Sequence, residues 1–190
     1  LDASNTAVIA TTIDENSGNM WIWRLDGTTG SNSWGRVAIT GTDTDSDSPR
    51  LRLPSPVVTQ LDSDAAPEMI LTIPTDSNGR TTGYGARFVG MELTSTQEIF
   101  SFRAQNGYAD AQPLPIDTND DGIHDRLCWV TWYSASSFNF DREGMTGCHD
   151  LSNDPPTKEW SKVMNRGGSG NSNDEIAVSP PALMDIDGEN

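Results

Sequence analysis

An oxygen-rich loop is the segment of this chain whose residue types and spacing best suit chemistry. It reads Asp117-Thr-Asn-Asp-Asp-Gly-Ile-His-Asp125, with side-chain oxygens at positions 1, 3, 5 and 9 and a glycine at position 6. Ca²⁺ takes about six to eight oxygen ligands, and a glycine permits the sharp turn that points them inward. The sequence therefore predicts calcium in this loop, held by four side chains and the carbonyl oxygen of position 7: Asp117, Asn119, Asp121, Asp125 and Ile123.

Two other segments repeat the pattern less completely. The second loop, 60–68, has a neutral amide at position 1 and alanine in place of the glycine, so a weaker or an empty site is expected there. The last copy stops before its ninth position, so its site is truncated. The candidate ligands are Gln60, Asp62, Asp64 and Glu68 in the second loop, and Asp185, Asp187 and Glu189 in the last copy. The alternative is that all three are Asp-rich turns satisfied by their own backbone amides.

Short strands must position these loops. A proline stands four residues before each loop, at Pro56, Pro113 and Pro181, and apolar β-branched and aromatic runs follow. Such runs between clusters of Asp, Asn, Gly and Ser predict strands. Grouped by their place in each repeat, they are 7–10, 69–73 and 126–132, then 20–25, 86–93 and 144–149, and finally 34–37, 99–102 and 160–163.

With the proline segment as first strand, each repeat has four short antiparallel strands. Tandem units of this kind are typical of β-propeller blades, with a β-sandwich as the alternative. The predicted fold class is all-β, a propeller fragment of about three blades plus the first strand of another, and further blades of the same propeller are expected. The predicted units are 1–54 without its first strand, 55–111 and 112–178 complete, and 179–190 with a first strand and the truncated loop.

The strand–loop–strand pattern around 117–125 resembles the FG-GAP/VCBS repeats, which form the blades of integrin-α-like propellers. That resemblance implies structural calcium in the loop between the first two strands of a blade, in a secreted or cell-surface protein. The second loop departs from the family at Gln60 and Ala65, and the FG and GAP tripeptides are not evident. Residues 26–34 are similar, more weakly, to the tryptophan-docking motif of quinoprotein-type propellers, which packs blades together and binds no cofactor.

Charge and cysteines narrow the function further. A net charge of -16, from 28 acidic and 12 basic residues, makes nucleic acid or an anionic membrane surface an unsuitable partner, and no apolar stretch is long enough for membrane insertion.

Cys128 and Cys148 fall on neighbouring predicted strands, which favours a disulfide and an oxidising compartment. Two buried free thiols are the alternative. A zinc or catalytic Cys/His site is disfavoured because Cys148 and His149 point to opposite faces of a strand.

No Walker loop, dinucleotide fingerprint, G-x-S-x-G or H-E-x-x-H motif occurs, so the chain is not expected to be an enzyme. The function expected is an extracellular or cell-surface calcium-binding module for binding, adhesion or scaffolding, with the periplasm as an alternative location. Its partner would be an unidentified protein or carbohydrate ligand. The alternatives are part of a propeller-type polysaccharide lyase, hydrolase or quinoprotein with its active site elsewhere, and a structural cell-surface or filament component.

Overall fold

The chain folds into antiparallel strands. The computed structural model describes residues 7–14, 19–39, 54–73, 86–93, 95, 97–104, 109, 111–134, 142–164 and 180–183, and no helix occurs within these ranges. The strands in chain order are β1 (Ala7–Asp14), β2 (Asn19–Asp26), β3 (Asn32–Ile39), β4 (Val57–Thr59), β5 (Glu68–Ile73), β6 (Arg87–Glu92), β7 (Glu98–Arg103), β8 (Leu114–Ile116), β9 (Arg126–Ser134), β10 (Arg142–Asp150) and β11 (Thr157–Met164).

Three sheets are built from strands that are consecutive in sequence. The first sheet has the order β1-β2-β3, the second β4-β5-β6-β7 and the third β8-β9-β10-β11, and all neighbouring strands are antiparallel. The predicted all-β fold of blade-like sheets is therefore confirmed, with a three-stranded first sheet. Residues 180–183 lie in no strand, and residues 184–190 lie outside the described part of the chain.

The second sheet is covered on both faces. On one face Met69, Leu71 and Ile73 of β5 pack with Met20 and Ile22 of the first sheet. On the other face Ile70 and Phe88 pack with Leu127 and Trp129 of the third sheet. All six residues of β5 are therefore buried, which explains its unbroken apolar run apart from Glu68 and Thr72. Burial of each large apolar side chain contributes about 2 kcal/mol.

A glycine lies opposite an aromatic ring in every sheet. The pairs are Gly35 with Trp23, Gly90 with Phe100 and Gly147 with Trp129. A Cβ atom on these glycines would lie 2.4, 2.3 and 2.7 Å, respectively, from the nearest ring atom. Because such distances are far inside van der Waals contact, each ring occupies the space that a side chain would need. The glycines therefore allow large aromatic rings to lie flat across the neighbouring strand.

A disulfide joins the two central strands of the third sheet. Cys128 of β9 and Cys148 of β10 are directly opposite each other, with their Cα atoms 4.1 Å apart, and their sulfurs are bonded. The predicted disulfide is confirmed, and the alternatives of free thiols or a Cys/His zinc site are wrong. A disulfide is consistent with a location outside the cytoplasm. Among the described residues, no helix is long and apolar enough to cross a membrane.

Candidate metal sites

The two described acidic loops occupy the same place in neighbouring sheets. The second loop joins β4 to β5, and the loop 117–125 joins β8 to β9. The loops also touch. The backbone N–H of His124 donates to the carbonyl oxygen of Gln60 at 2.9 Å, and His124 Nδ1 lies 2.8 Å from Thr59 Oγ1. The two loops are therefore in direct contact, so a conformational change in one loop can alter the other.

The loops share one pattern of internal hydrogen bonds. In each, the side chain at position 9 accepts the backbone N–H of position 2: Glu68 accepts from Leu61, and Asp125 accepts from Thr118. The side chains at positions 3 and 5 each accept the N–H two residues further on. These bonds run from Asp64 to Asp62, Ala66 to Asp64, Asp121 to Asn119 and Ile123 to Asp121, at 2.8, 2.7, 3.2 and 2.8 Å. The sequence repeat is thus also a repeat of loop conformation.

The carboxylate of Asp117 accepts hydrogen bonds from the backbone of the loop 117–125. Its Oδ1 accepts the N–H of Asn119 at 3.2 Å and of Asp120 at 2.8 Å, and its Oδ2 accepts the N–H of Gly122 at 2.7 Å. Desolvation raises the pKa of Asp117, but these donors, led by Gly122, outweigh it and leave the pKa below its usual value. Gly122 has a φ of 89°, as its place at the sharp turn requires. The carboxylate of Asp117 is therefore held charged at the centre of the loop.

Gln60 occupies position 1 of the second loop, as Asp117 does in the loop 117–125. It acts as a hydrogen-bond donor there, whereas Asp117 acts as an acceptor. Its Nε2 donates to the carbonyl oxygens of Asp62 at 2.9 Å, Asp64 at 2.7 Å and Ala66 at 3.5 Å. Three carbonyl oxygens therefore converge on an amide nitrogen in the interior of the second loop. Gln60 was predicted at the first ligand position of a weaker or empty site, and in this structure its amide nitrogen faces the loop interior.

A cluster of three carboxylates lies beside the second loop. Asp62 and Asp64 come from the loop, and Glu92 comes from the end of β6; one ligand oxygen from each lies within 4.8 Å of the others. Desolvation raises the pKa of Glu92, and the charges of Asp64 and Asp62 raise it further. Sequence analysis missed Glu92, because only the register of β5 against β6 brings it to the loop. Among the described residues, the carboxylates of 117–125 form no comparable group.

Glu68 is buried next to this cluster. It has no exposed surface, its Oε2 accepts the N–H of Leu61, and its Oε1 has no hydrogen-bond partner within the described part of the chain. Desolvation is the main reason that the pKa of Glu68 is raised, and the charges of Asp62, Glu92 and Asp64 add to it. Of the predicted ligands of the second loop, Asp62 and Asp64 are thus brought together with Glu92, and Glu68 lies outside that group of ligand oxygens. Asp185, Asp187 and Glu189 lie outside the described residues.

A small cavity of about 120 Å³ lies on the other side of the second loop. It is lined by Leu61, Ile99, Phe100 and the residues 151–154 of the β10–β11 turn. Small-molecule sites are usually about 300–1,000 Å³, so this cavity is too small for most substrates.

Comparison with known proteins finds no protein-family model that matches this chain and no curated protein that matches it significantly. The assignment of function therefore depends on the acidic loops and the sheets that carry them.

Proposed function

We propose that this chain is a calcium-stabilised segment of an extracellular β-propeller that acts as a binding, adhesion or scaffolding module. The observation that carries the proposal is the conformation of the loop 117–125. Asp117 accepts three backbone N–H groups and so holds one tight turn, along which side-chain oxygens recur at positions 1, 3, 5 and 9. That arrangement suits a hard cation that needs several oxygen ligands.

The proposed ligands are the side chains of Asp117, Asn119, Asp121 and Asp125 with the carbonyl oxygen of Ile123. A bound Ca²⁺ would offset the repulsion between the three ligand carboxylates of this exposed loop. It would also hold the exit of β8 to the start of β9. Because His124 contacts the second loop, a rigid loop 117–125 would strengthen the junction between neighbouring sheets.

A resemblance in pattern supports the same proposal. The place of the acidic loop, between the first and second strands of a four-stranded sheet, is the place that FG-GAP/VCBS blades use for calcium. The disulfide between Cys128 and Cys148 supports a secreted or cell-surface location. An acidic, calcium-stabilised blade surface suits a protein or carbohydrate partner rather than nucleic acid. The role of calcium in this proposal is structural.

The experiment that tests the proposal compares Asp121→Asn with Asp120→Asn by thermal melting, in calcium and in chelator. Both variants remove one negative charge from the same loop. Asp120 occupies position 4, which is not a ligand position, and asparagine tolerates its φ of 59°. Asp121→Asn should lose most of the calcium-dependent rise in melting temperature, and Asp120→Asn should keep it. If the wild-type chain melts at the same temperature in both buffers, the proposal is wrong.

A further inference from the structure

We propose that Thr59 and Gln60 of the second sheet are positioning residues for the calcium site in the loop 117–125, and that they act through His124. This inference rests on the proposed function, since it needs calcium in that loop. It goes further because it assigns part of the calcium affinity to residues of a neighbouring sheet that are not ligands of the ion.

His124 lies between two of the proposed ligands. It occupies position 8 of the loop, so it joins Ile123, whose carbonyl oxygen is a proposed ligand, to Asp125, whose carboxylate is another. The peptide bond between Ile123 and His124 is trans. In a planar trans peptide the N–H and C=O groups point in opposite directions. Whatever holds the N–H of His124 therefore also sets the direction of the Ile123 carbonyl oxygen.

The second sheet holds that N–H. The backbone N–H of His124 donates to the carbonyl oxygen of Gln60 at 2.9 Å, so the carbonyl oxygen of Ile123 points away from Gln60. The ring of His124 is half-buried, and its Nδ1 lies 2.8 Å from Thr59 Oγ1 and 3.2 Å from the carbonyl oxygen of Gln60. A threonine hydroxyl can donate or accept, so it suits either tautomer of the ring. Both the backbone and the side chain of His124 are thus fixed from the neighbouring sheet.

Gln60 makes this anchor rigid. While its carbonyl oxygen accepts from His124, its side-chain nitrogen donates to the carbonyl oxygens of Asp62 at 2.9 Å and Asp64 at 2.7 Å. These bonds tie the start of the second loop to its middle, and they involve no ion. A ligand group that is already held in place loses less conformational freedom on binding, which strengthens binding. The second loop is therefore a preformed support for the loop 117–125.

The other end of the ligand segment is held from within its own sheet. The backbone N–H of Leu151, which directly follows β10, donates to the carbonyl oxygen of Asp125 at 2.8 Å. Loss of the contact between Thr59 and His124 should therefore loosen the peptide unit that carries the Ile123 carbonyl and leave Asp125 in place. The site should keep its ion and bind it more weakly.

Calorimetric titration of the chelator-treated chain with calcium chloride tests the assignment, with Thr59→Val as the variant. Removal of a group that orients a metal ligand typically weakens binding about tenfold or more, so Thr59→Val should raise the Kd for calcium about tenfold. Thr59→Ser keeps the hydroxyl and should bind as the wild type does. The matched control is Thr72→Val, the same change in the same sheet at a buried hydroxyl with no partner among the described residues. It should leave the Kd unchanged.

A double variant separates positioning from a general loss of stability. His124→Phe should weaken calcium binding, and Thr59→Val should add little to it, because both changes remove the same contact. Independent, additive losses in the double variant would overturn the assignment. Wild-type affinity in Thr59→Val, or an equal loss in Thr72→Val, would also overturn it while leaving calcium in the loop 117–125. A wild-type chain that binds no calcium would instead remove the proposed function, and this assignment with it.

Discussion

Glu68 and Glu92 occupy directly opposite positions on β5 and β6, so two carboxylates share one face of an antiparallel pair. Like charges placed opposite each other destabilise a sheet, and Glu68 is in addition fully buried. Neighbouring Asp62 and Asp64 increase the cost. Desolvation raises the pKa of both Glu68 and Glu92, so protonation of this pair is easier than that of an exposed glutamate.

Gln60→Glu should make the second loop depend on calcium. The change places an oxygen where the amide nitrogen now meets carbonyl oxygens of Asp62, Asp64 and Ala66. Lost hydrogen bonds and new repulsion should lower the free energy of unfolding in chelator by about 2–3 kcal/mol. Calcium should recover most of that loss, as measured by urea denaturation in both buffers. Gln112→Glu is the control, because Gln112 donates to a single exposed carbonyl, that of Ser55. Equal losses in calcium and chelator would mean that the loop interior does not accept the ion.

His149 should make stability depend on mildly acidic pH. Its ring stacks on Phe102 with 3.8 Å between centroids, and its Nδ1 accepts the N–H of Trp129 at 3.0 Å. Desolvation, helped by the charge of Lys158 and opposed by that of Glu159, lowers the pKa of His149 from 6.5 to about 4. The unfolded chain therefore takes up a proton between those values when the folded chain does not. The contribution of His149 is complete above pH 6.5 and is lost as the pH falls to about 4.

Solvent screening reduces the effect, so the loss over the window is at most about 3 kcal/mol. His149→Gln keeps an acceptor for Trp129 and cannot titrate, so its stability should fall less than that of the wild type between pH 6.5 and 4. Urea denaturation across this range measures the difference, and the carboxylates of the chain contribute equally to both proteins. Parallel pH profiles for the two proteins would show that His149 is not held neutral.

Gly90→Ala should destabilise the second sheet. The new Cβ would lie 2.3 Å from the ring of buried Phe100, and both residues lie in the interior between sheets. Overpacking of this kind costs about 1–3 kcal/mol. Gly144→Ala is a matched control in the third sheet, because its Cβ would meet only the exposed Met164, whose flexible end is the nearest atom at 3.1 Å. Denaturant melts of the two variants test this. Similar losses in both would remove the ring of Phe100 as the reason for the glycine.

Removal of the disulfide should act mainly on the unfolded chain. Cys128 and Cys148 are separated by 20 residues, so their bond should contribute about 3 kcal/mol by limiting the unfolded ensemble. The variant with both cysteines changed to alanine should lose about that much and should unfold with a steeper dependence on urea, because its unfolded state exposes more surface. The reduced wild-type chain should behave like the variant. An oxidised and a reduced chain of equal stability would contradict this.

Much of this fold follows from local signals in the sequence. Apolar runs rich in β-branched and aromatic residues, bounded by Asp- or Gly-rich turns, predict where β1 to β11 lie, because these signals depend only on neighbours along the chain. The disulfide was predictable for a related reason: Cys128 and Cys148 fall on consecutive strands, which are usually neighbours in an antiparallel sheet.

The group of Asp62, Asp64 and Glu92 could not be predicted in the same way. Glu92 reaches Asp62 and Asp64 only through the register of β6 against β5, and a shift of one residue would turn it to the other face. The hydrogen bonds of Gln60 could not be predicted either, since a side-chain amide can present its oxygen or its nitrogen. The three carbonyl oxygens that bind its nitrogen are brought together only by the conformation of the loop.

The measurement that tests the central claim most directly is the number of calcium ions bound to the chelator-treated chain, determined by equilibrium dialysis at about 1 mM free calcium. The account predicts one bound ion on the wild-type chain, in the loop 117–125, and none on Asp121→Asn. A wild-type chain that retains no calcium would contradict the account and leave the acidic loops as turns held by their own backbone hydrogen bonds.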